Sequence, residues 1–386
     1  MDDVLIVDAV RSPIGKRNGT LSTVRADELA AQVLNGLVER HDVDPGAIED
    51  VQMGCVTQLG EQGLNVGRIA TLIAGWPETV CASTIDRQCG SSMQSCFNAA
   101  AAIWSGQLDL VVAAGVESMS RVPMGSNLGA EGFAGFSDKL LDAWEIVPQG
   151  ISAEVIADEW SLSRGELDAY SLESHRRAID AIDSGRFENE IVPIEVENPH
   201  VGVLFAVDET PRRDTSAEKL AQLRPAFKDD GKVTAGNSSQ IVDGSAAVLL
   251  TSERRAQELG LRPRARFVSF GLAGVDPYRM LHGNPQACAR ALERAGLTWD
   301  DMAVIEVNEA FASVVLQFVR DAGLEDRMDD INPNGGGISL GHPLGATGAR
   351  MTATLLHELE RRGGRYGIAS MCIGQGQAIA GVIERL

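Results

Sequence analysis

The segment Asp86–Val116, DRQCGSSMQSCFNAAAAIWSGQLDLVVAAGV, carries three structural signals in one short span. Cys89-Gly90-Ser91-Ser92 reads as a turn into a helix. Met93, Cys96, Phe97, Ala100 and Trp104 then recur at helical spacing, in a run so rich in Ala and Ser that both helix faces read as buried. Gly106 ends the helix, and Leu110–Ala114 reads as a buried strand. Upstream, Val4–Val10 is an apolar strand closed by Arg11-Ser12-Pro13, and Ala26–Glu39 is an amphipathic helix with Leu29, Val33, Leu34, Leu37 and Val38 on one face. Val51–Val56 is a second short strand, and Asn65–Gly75 is a helix of small residues. Alternating strands and helices of this kind predict an α/β protein with a mostly parallel sheet.

The rhythm returns late in the chain, with strands over Ala246–Leu250, Ala303–Val307 and Gly367–Cys372. Thirty-four positions separate Cys55 from Cys89, and again Asn308 from His342, each pair running from a strand end to the start of a buried helix. Equal spacing in the same order of elements suggests a duplicated unit. Between about 120 and 240 the pattern changes to a glycine-rich loop (Gly125, Gly129, Gly132, Gly135), polar helices and the basic pair Arg212-Arg213, which reads as an insertion.

Composition narrows the function. The 386 residues include 34 Lys and Arg against 54 Asp and Glu, a net charge of −20, so nucleic acid and anionic membrane are poor partners and an anionic ligand needs a local basic patch. The longest apolar run, Leu110–Val116, is far shorter than the ~20 residues of a membrane span. An apolar strand follows almost directly on Met1 without a basic leader, so a soluble cytoplasmic enzyme is expected. The six cysteines form no Cys-x-x-Cys pair and no cluster at zinc spacing, and a disulfide framework is not expected. No metal is expected either.

Four segments place reactive side chains beside glycines. Cys89 sits where helix N-terminal amides would lower a thiol pKa, and it is expected to be the most readily alkylated of the six cysteines. His342 lies among six glycines in Asn332-Pro-Asn-Gly-Gly-Gly-Ile-Ser-Leu-Gly-His-Pro-Leu-Gly-Ala-Thr-Gly, immediately before a helix. Asn308-Glu309-Ala310-Phe311-Ala312 begins at a strand end, and Cys372-Ile-Gly374-Gln-Gly376 is a strand running into a glycine turn. No Walker-type phosphate loop and no dinucleotide fingerprint is present. Taken singly, each cysteine or histidine reads as a small buried residue. Together they supply a nucleophile, a base, a proton donor and donors for an oxyanion, the parts of an acyl-transfer site.

These motifs resemble those of the thiolase family. Cys89-Gly90-Ser91 is similar to its nucleophile motif, Asn308–Ala312 to its Asn-Glu-Ala-Phe motif, Gly341-His342-Pro343 to its Gly-His-Pro motif, and Cys372–Gly376 to its C-terminal Cys-x-Gly-x-Gly. Arg11–Gly15, Glu117–Ser120, Leu223–Phe227 and Thr234–Ser239 add supporting matches, so the likeness spans the chain. It implies a five-layered αβαβα fold of two similar halves: residues 1–118 completed by about 242–263, an inserted loop domain over 119–241, and a second half over 264–386. It implies Cys89 as the acyl-carrying nucleophile and His342 as its activator, the latter also stabilising the enolate with a water held by Asn308. Cys372 would be the acid/base at the acetyl methyl carbon, and the amides of Cys89 and Gly374 a second oxyanion hole. Coenzyme A would be a substrate rather than a bound cofactor, with Arg212 at its nucleotide end and Ala235 and Ser239 beside the pantetheine.

The resemblance further implies thiolytic cleavage of 3-ketoacyl-CoA in the manner of actinobacterial degradative thiolases. It also points to a homo-oligomer, expected as a tetramer, and to a hydratase or dehydrogenase of β-oxidation as partner. The apolar residues Leu128, Phe133 and Phe136 of the glycine-rich excursion suggest association as well. Alternatives are acetoacetyl-CoA synthesis and a non-catalytic acyl-CoA-binding subunit. A ketoacyl synthase would need a second histidine where this chain has Asn308. Gln375, Gln377 and Ala378, Gln149 within Pro148-Gln149-Gly150, Gln240 and Lys219 depart from common family residues and bear on substrate choice.

Overall fold

The computed structural model describes residues 3–198 and 201–386. Nine strands run side by side in one hydrogen-bonded sheet: β1 (Val4–Arg11), β3 (Asp50–Gly54), β4 (Cys81–Ile85), β5 (Leu110–Ser118), β8 (Val242–Ser252), β9 (Ala265–Gly274), β10 (Met302–Val307), β11 (Tyr366–Ile373) and β12 (Gln377–Arg385). Their order is β10-β11-β12-β9-β1-β8-β5-β3-β4, with the short β2 (Gly15–Lys16) paired to β8. The inserted segment contributes only a separate hairpin, β6 (Ile194–Asn198) with β7 (Val201–Phe205).

The order reads alike outward from the antiparallel β1–β9 seam. β8 and β12 come first, both antiparallel to their neighbours. Then come β5 and β11, each antiparallel to that neighbour. Last are β3 and β10, each parallel to the preceding strand. This correspondence is the structural form of the duplicated spacing. The sheet is mixed, however, and not mostly parallel as the sequence suggests. β9 and β12 carry no strong sequence signal, and the three-residue turn between β11 and β12 is too short for the crossover that a parallel pair requires.

Eleven helices accompany the strands among the described residues. Three hydrophobic clusters layer them, because each strand sends alternate residues to opposite faces. On β5, Val112, Ala114 and Val116 face α1 (Ala26–Glu39) and α2 (Val66–Ile73), while Val111 and Ala113 face a central layer. On β11, Ile368 and Cys372 face α9 (Asn284–Ala295) and α10 (Ala312–Ala322), while Ala369, Met371 and Ile373 face the centre. The central layer is α3 (Ser91–Trp104) against α11 (Thr347–Arg362), joined where Ser92 Oγ accepts from Ala349 N at 3.0 Å. The sheet folds around this pair, giving five layers. Between β5 and β8 lie α4 (Asp138–Ala143), α5 (Gln149–Glu159), α6 (Arg164–Asp183) and α7 (Ala217–Ala221), and α8 (Glu253–Leu259) follows β8. No helix among the described residues is long and apolar enough to cross a membrane.

Candidate active site

The four sequence motifs meet at the ends of β4, β10 and β11 and the start of α11. Ligand sites in α/β sheets favour such strand ends. Cys89 lies in the turn between β4 and α3, which Ser91 braces: its hydroxyl accepts from Arg87 N at 3.0 Å and donates to Gln88 O at 2.5 Å. Cys372 lies near the end of β11, within electrostatic reach of Cys89, whose charge raises its pKa further after burial has already raised it. The backbone N–H groups of Cys89 and of Gly374 favour negative charge on the Cys89 sulfur.

Asn308 follows β10 and is fixed by its backbone N–H, which donates to Ser370 O on β11 at 2.9 Å. His342 follows Gly341, whose φ of +100° and close approach to Val242 leave no room for a side chain. Asn308 Nδ2 donates to His342 Nε2 at 3.3 Å. On the other side of the ring, Nδ1 lies 2.6 Å from Thr347 Oγ1, and that hydroxyl spends its proton on Pro343 O at 2.8 Å. Nδ1 therefore carries the ring proton and Nε2 presents a lone pair. Burial, helped by the nearby Arg350 charge, pushes the imidazole down to about 3, so it is neutral and Nε2 carries no proton. Asn308 Oδ1 is buried without a partner among the described residues.

One expectation is corrected. The helix N-terminus does not give Cys89 a low pKa. Burial raises it, and Gln149 with the backbone N–H groups of Cys89 and Gly374 only partly offset that, leaving it at about 11. Cys55, Cys96 and Cys288 are buried with raised pKa values, whereas Cys81 is exposed.

Several contributors escape sequence reading because their contacts are long-range. Gln149, at the start of α5, points its amide at Cys89 Sγ from 4.0 Å. Glu309 lies in a recognised motif but works as a brace: its carboxylate accepts from Tyr170 Oη at 2.8 Å, Ser174 Oγ at 2.7 Å and Ile338 N at 3.0 Å, tying the inserted α6 to the histidine loop. Gln240 donates to Thr210 O, Ile338 O and Ser339 O, and its own carbonyl accepts from His342 N at 3.2 Å.

The three residues expected near coenzyme A are less tightly gathered. Ser239 is half-buried, with its N–H on Ala310 O at 2.9 Å, inside the Asn308–Ala312 motif. Ala235 is exposed on the same loop. Arg212 is exposed, anchored by its backbone N–H to His175 Nδ1 at 3.1 Å, and its guanidinium has no ion pair among the described residues. Arg213 and Lys219 beside it pair with Asp183 and Asp214. No group of three or more metal-ligating side chains occurs among the described residues.

Comparison with known proteins agrees over the whole chain. Residues 4–254 match the family model of the thiolase N-terminal domain and residues 261–385 that of the C-terminal domain. The chain is 45% identical to a steroid 3-ketoacyl-CoA thiolase of Mycobacterium tuberculosis, covering 100% of this chain and 95% of that protein. It is 47% identical to a 3-ketoacyl-CoA thiolase of Psychrobacter cryohalolentis, covering 100% and 98%. Among solved structures, the Bacillus anthracis acetyl-CoA acetyltransferase superposes with a TM-score of 0.92 at 43% identity, covering 100% of this chain and 99% of that one. Human mitochondrial 3-ketoacyl-CoA thiolase gives 0.91 at 37% identity, with the same coverage.

Proposed function

The chain belongs to the thiolase family, and from that premise we propose that it cleaves 3-ketoacyl-CoA with coenzyme A, releasing acetyl-CoA and a shortened acyl-CoA. The observation that carries this reading is the meeting of two thiols from opposite halves of the chain, Cys89 and Cys372, close enough to couple electrostatically.

The Cys89 thiol passes its proton to Nε2 of His342, and the sulfur attacks the 3-keto carbon. The C2–C3 bond breaks, and its electron pair leaves as the thioester enolate of acetyl-CoA. Nε2–H of His342 and a water held by Asn308 hydrogen-bond that enolate, and the Cys372 thiol protonates C2. Incoming coenzyme A returns a proton to the Cys372 sulfur and attacks the acyl thioester. The Cys89 sulfur leaves and recovers its proton from His342. The N–H groups of Cys89 and Gly374 receive the thioester oxyanion, and losing one such donor typically costs ~2.7–4 kcal/mol of transition-state stabilisation. Arg212 takes the nucleotide end of coenzyme A, and Ala235 and Ser239 flank its pantetheine. Coenzyme A enters as a substrate and no cofactor is held tightly.

The degradative direction is supported by the two 3-ketoacyl-CoA thiolases at 45–47% identity. Likeness to the acetyl-CoA acetyltransferase supports acetoacetyl-CoA synthesis as a second reading, in which the same steps run in reverse. We place the enzyme in the cytoplasm as a homo-oligomer, a tetramer of paired dimers, working beside a hydratase or dehydrogenase. Association is supported by the free outer edge of β4 and the adjacent Leu64, Leu72 and Ile73, of which Leu64 is 95% exposed. In the glycine-rich excursion Leu128 is exposed; the Phe133 side chain lies outside the described residues.

The test is a thiolysis assay across short, long and steroid side-chain 3-ketoacyl-CoAs, with mass mapping of the acylated peptide after reaction without coenzyme A. Turnover with the acyl group on Cys89 is expected. An unacylated Cys89 beside active turnover would overturn the assignment.

A further inference from the structure

Two loops from opposite halves of the chain face one another over the nucleophile: residues 86–90 between β4 and α3, and residues 374–376 between β11 and β12. Each supplies one of the two backbone N–H groups, of Cys89 and of Gly374, that favour negative charge on the Cys89 sulfur. Beside each donor stands a glutamine in the left-handed backbone region, Gln88 (φ +45°) just before Cys89 and Gln375 (φ +55°) just after Gly374. A residue with a β-carbon adopts that conformation at a cost, and such outliers persist only where surrounding contacts hold them. Here the holding contact is mutual: Gln88 Nε2 donates to Gln375 Oε1. A second rung runs parallel to it, Arg87 to Gln377 Oε1 at 2.8 Å. Gln88 Oε1 also occupies the space that any β-carbon at residue 374 would need, so the side chain lies directly against the donor turn.

We infer that Gln88 and Gln375 are positioning residues, whose cross-loop hydrogen bond sets the spacing of the Cys89 and Gly374 N–H groups at the acyl carbonyl. The inference rests on the acyl-enzyme reading above. Neither side chain needs to touch the substrate. Each is tied to one donor through a single peptide unit, and each bears backbone strain that a glycine would relieve. A purely structural role predicts that relieving the strain is harmless. A positioning role predicts that it is harmful to chemistry alone.

Gln375→Gly separates the two. Thermal stability is expected to hold or rise, because glycine adopts the left-handed region freely. The turnover number for acyl exchange from a simple acyl-CoA is expected to fall roughly 10-fold, below the ~10²–10³ of deleting a donor outright, with KM within about 2-fold. Gln88→Leu should fall similarly. The double variant should be no worse than the poorer single one, since both remove the same contact. The carbonyl stretch of the acyl-enzyme, read by infrared difference spectroscopy, should move to higher frequency in both. Gln375→Asn keeps a residue that tolerates the left-handed region but is one methylene short, so it should behave like Gln375→Gly and serves if the glycine variant folds poorly. Unchanged turnover in Gln375→Gly, losses that multiply in the double variant, or an unmoved carbonyl stretch would each overturn the inference. Acylation of Cys89 in the wild-type protein, mapped first, keeps a failure of the acyl-enzyme reading distinct from a failure of this one.

Discussion

Glu117, at the end of β5, accepts a hydrogen bond from the backbone N–H of Gly345, in the turn just before α11, over 2.9 Å. The same fully buried carboxylate accepts from Val56 N and Thr57 N, both at 2.9 Å, and from Gln62 Nε2 at 3.0 Å. One side chain thereby fixes the loop after β3, the end of β5 and the turn below His342, which belong to different halves of the chain. Four donors and no facing acceptor require the ionised form, although burial raises its pKa above the ordinary carboxyl value.

Glu117→Gln should therefore be costly despite its near-identical shape. It turns one acceptor into a donor facing donors, leaving at least one buried N–H unsatisfied. A loss on the order of 3 kcal/mol is expected from a buried unsatisfied pair next to a lost charge-assisted bond. Urea unfolding should show it as a lower midpoint at unchanged slope.

The two catalytic thiols should fail differently. Cys89→Ala should abolish acyl-enzyme formation and carbon–carbon cleavage together. Cys372→Ala should still exchange an acyl group between a simple acyl-CoA and labelled coenzyme A, because no carbanion forms in that half-reaction. Its thiolysis and its hydrogen exchange at the acetyl methyl should drop by roughly 10²–10⁴. Equal loss of exchange and thiolysis in Cys372→Ala would remove the division of labour.

Sulfur activation should depend on the imidazole, since burial, only partly offset by nearby N–H groups, leaves the Cys89 thiol near 11. His342→Gln should slow alkylation of Cys89 by iodoacetamide on the order of 10²-fold, in line with losing a general base. The exposed Cys81 provides an internal reference whose labelling rate should not change. Peptide mapping over time gives both rates in one experiment.

Two buried histidines should make stability depend on pH below about 6.5. Burial and the Arg350 charge depress His342 to about 3, and burial with the Arg212 charge depresses His175 to about 4. Both bind protons only in the unfolded chain below about 6.5, so each favours unfolding by up to ~1.4 kcal/mol per pH unit as the solution is acidified toward pH 4. Glu306 works in the opposite sense. Burial raises it to about 8, so stability falls as pH rises from the ordinary carboxyl range to that value. The two histidines thus oppose the raised carboxyls on the acid side. His175→Gln should lower the slope of stability against pH between 6.5 and 4.5, measured as urea midpoints; a slope equal to that of the wild type would exclude the histidine.

Arg212→Ala should raise KM for coenzyme A roughly 10-fold with the turnover number little changed, the pattern of lost uniform binding. Added salt should shrink the difference between wild type and variant, because the guanidinium is exposed. A fall in turnover at constant KM would place the residue elsewhere.

The order of reactive motifs, the helix over Ala26–Glu39 and the strand–helix rhythm were legible in sequence, because local periodicity and glycine placement report local backbone shape. So was the duplication, since equal spacing survives even when residue identity does not. The mixed sheet was hidden: β9 owes its existence to partners far along the chain, and β12 is set by a tight turn after β11 rather than by its own composition. The thiol pKa was hidden for the same kind of reason. A helix N-terminus is a local feature, but the desolvation that overrides it comes from the packing of two halves around Cys89. Gln88 and Gln375 show the division most sharply. In sequence they are two polar residues 287 positions apart, and only folding makes them a pair, because a hydrogen bond depends on distance in space and carries no trace along the chain.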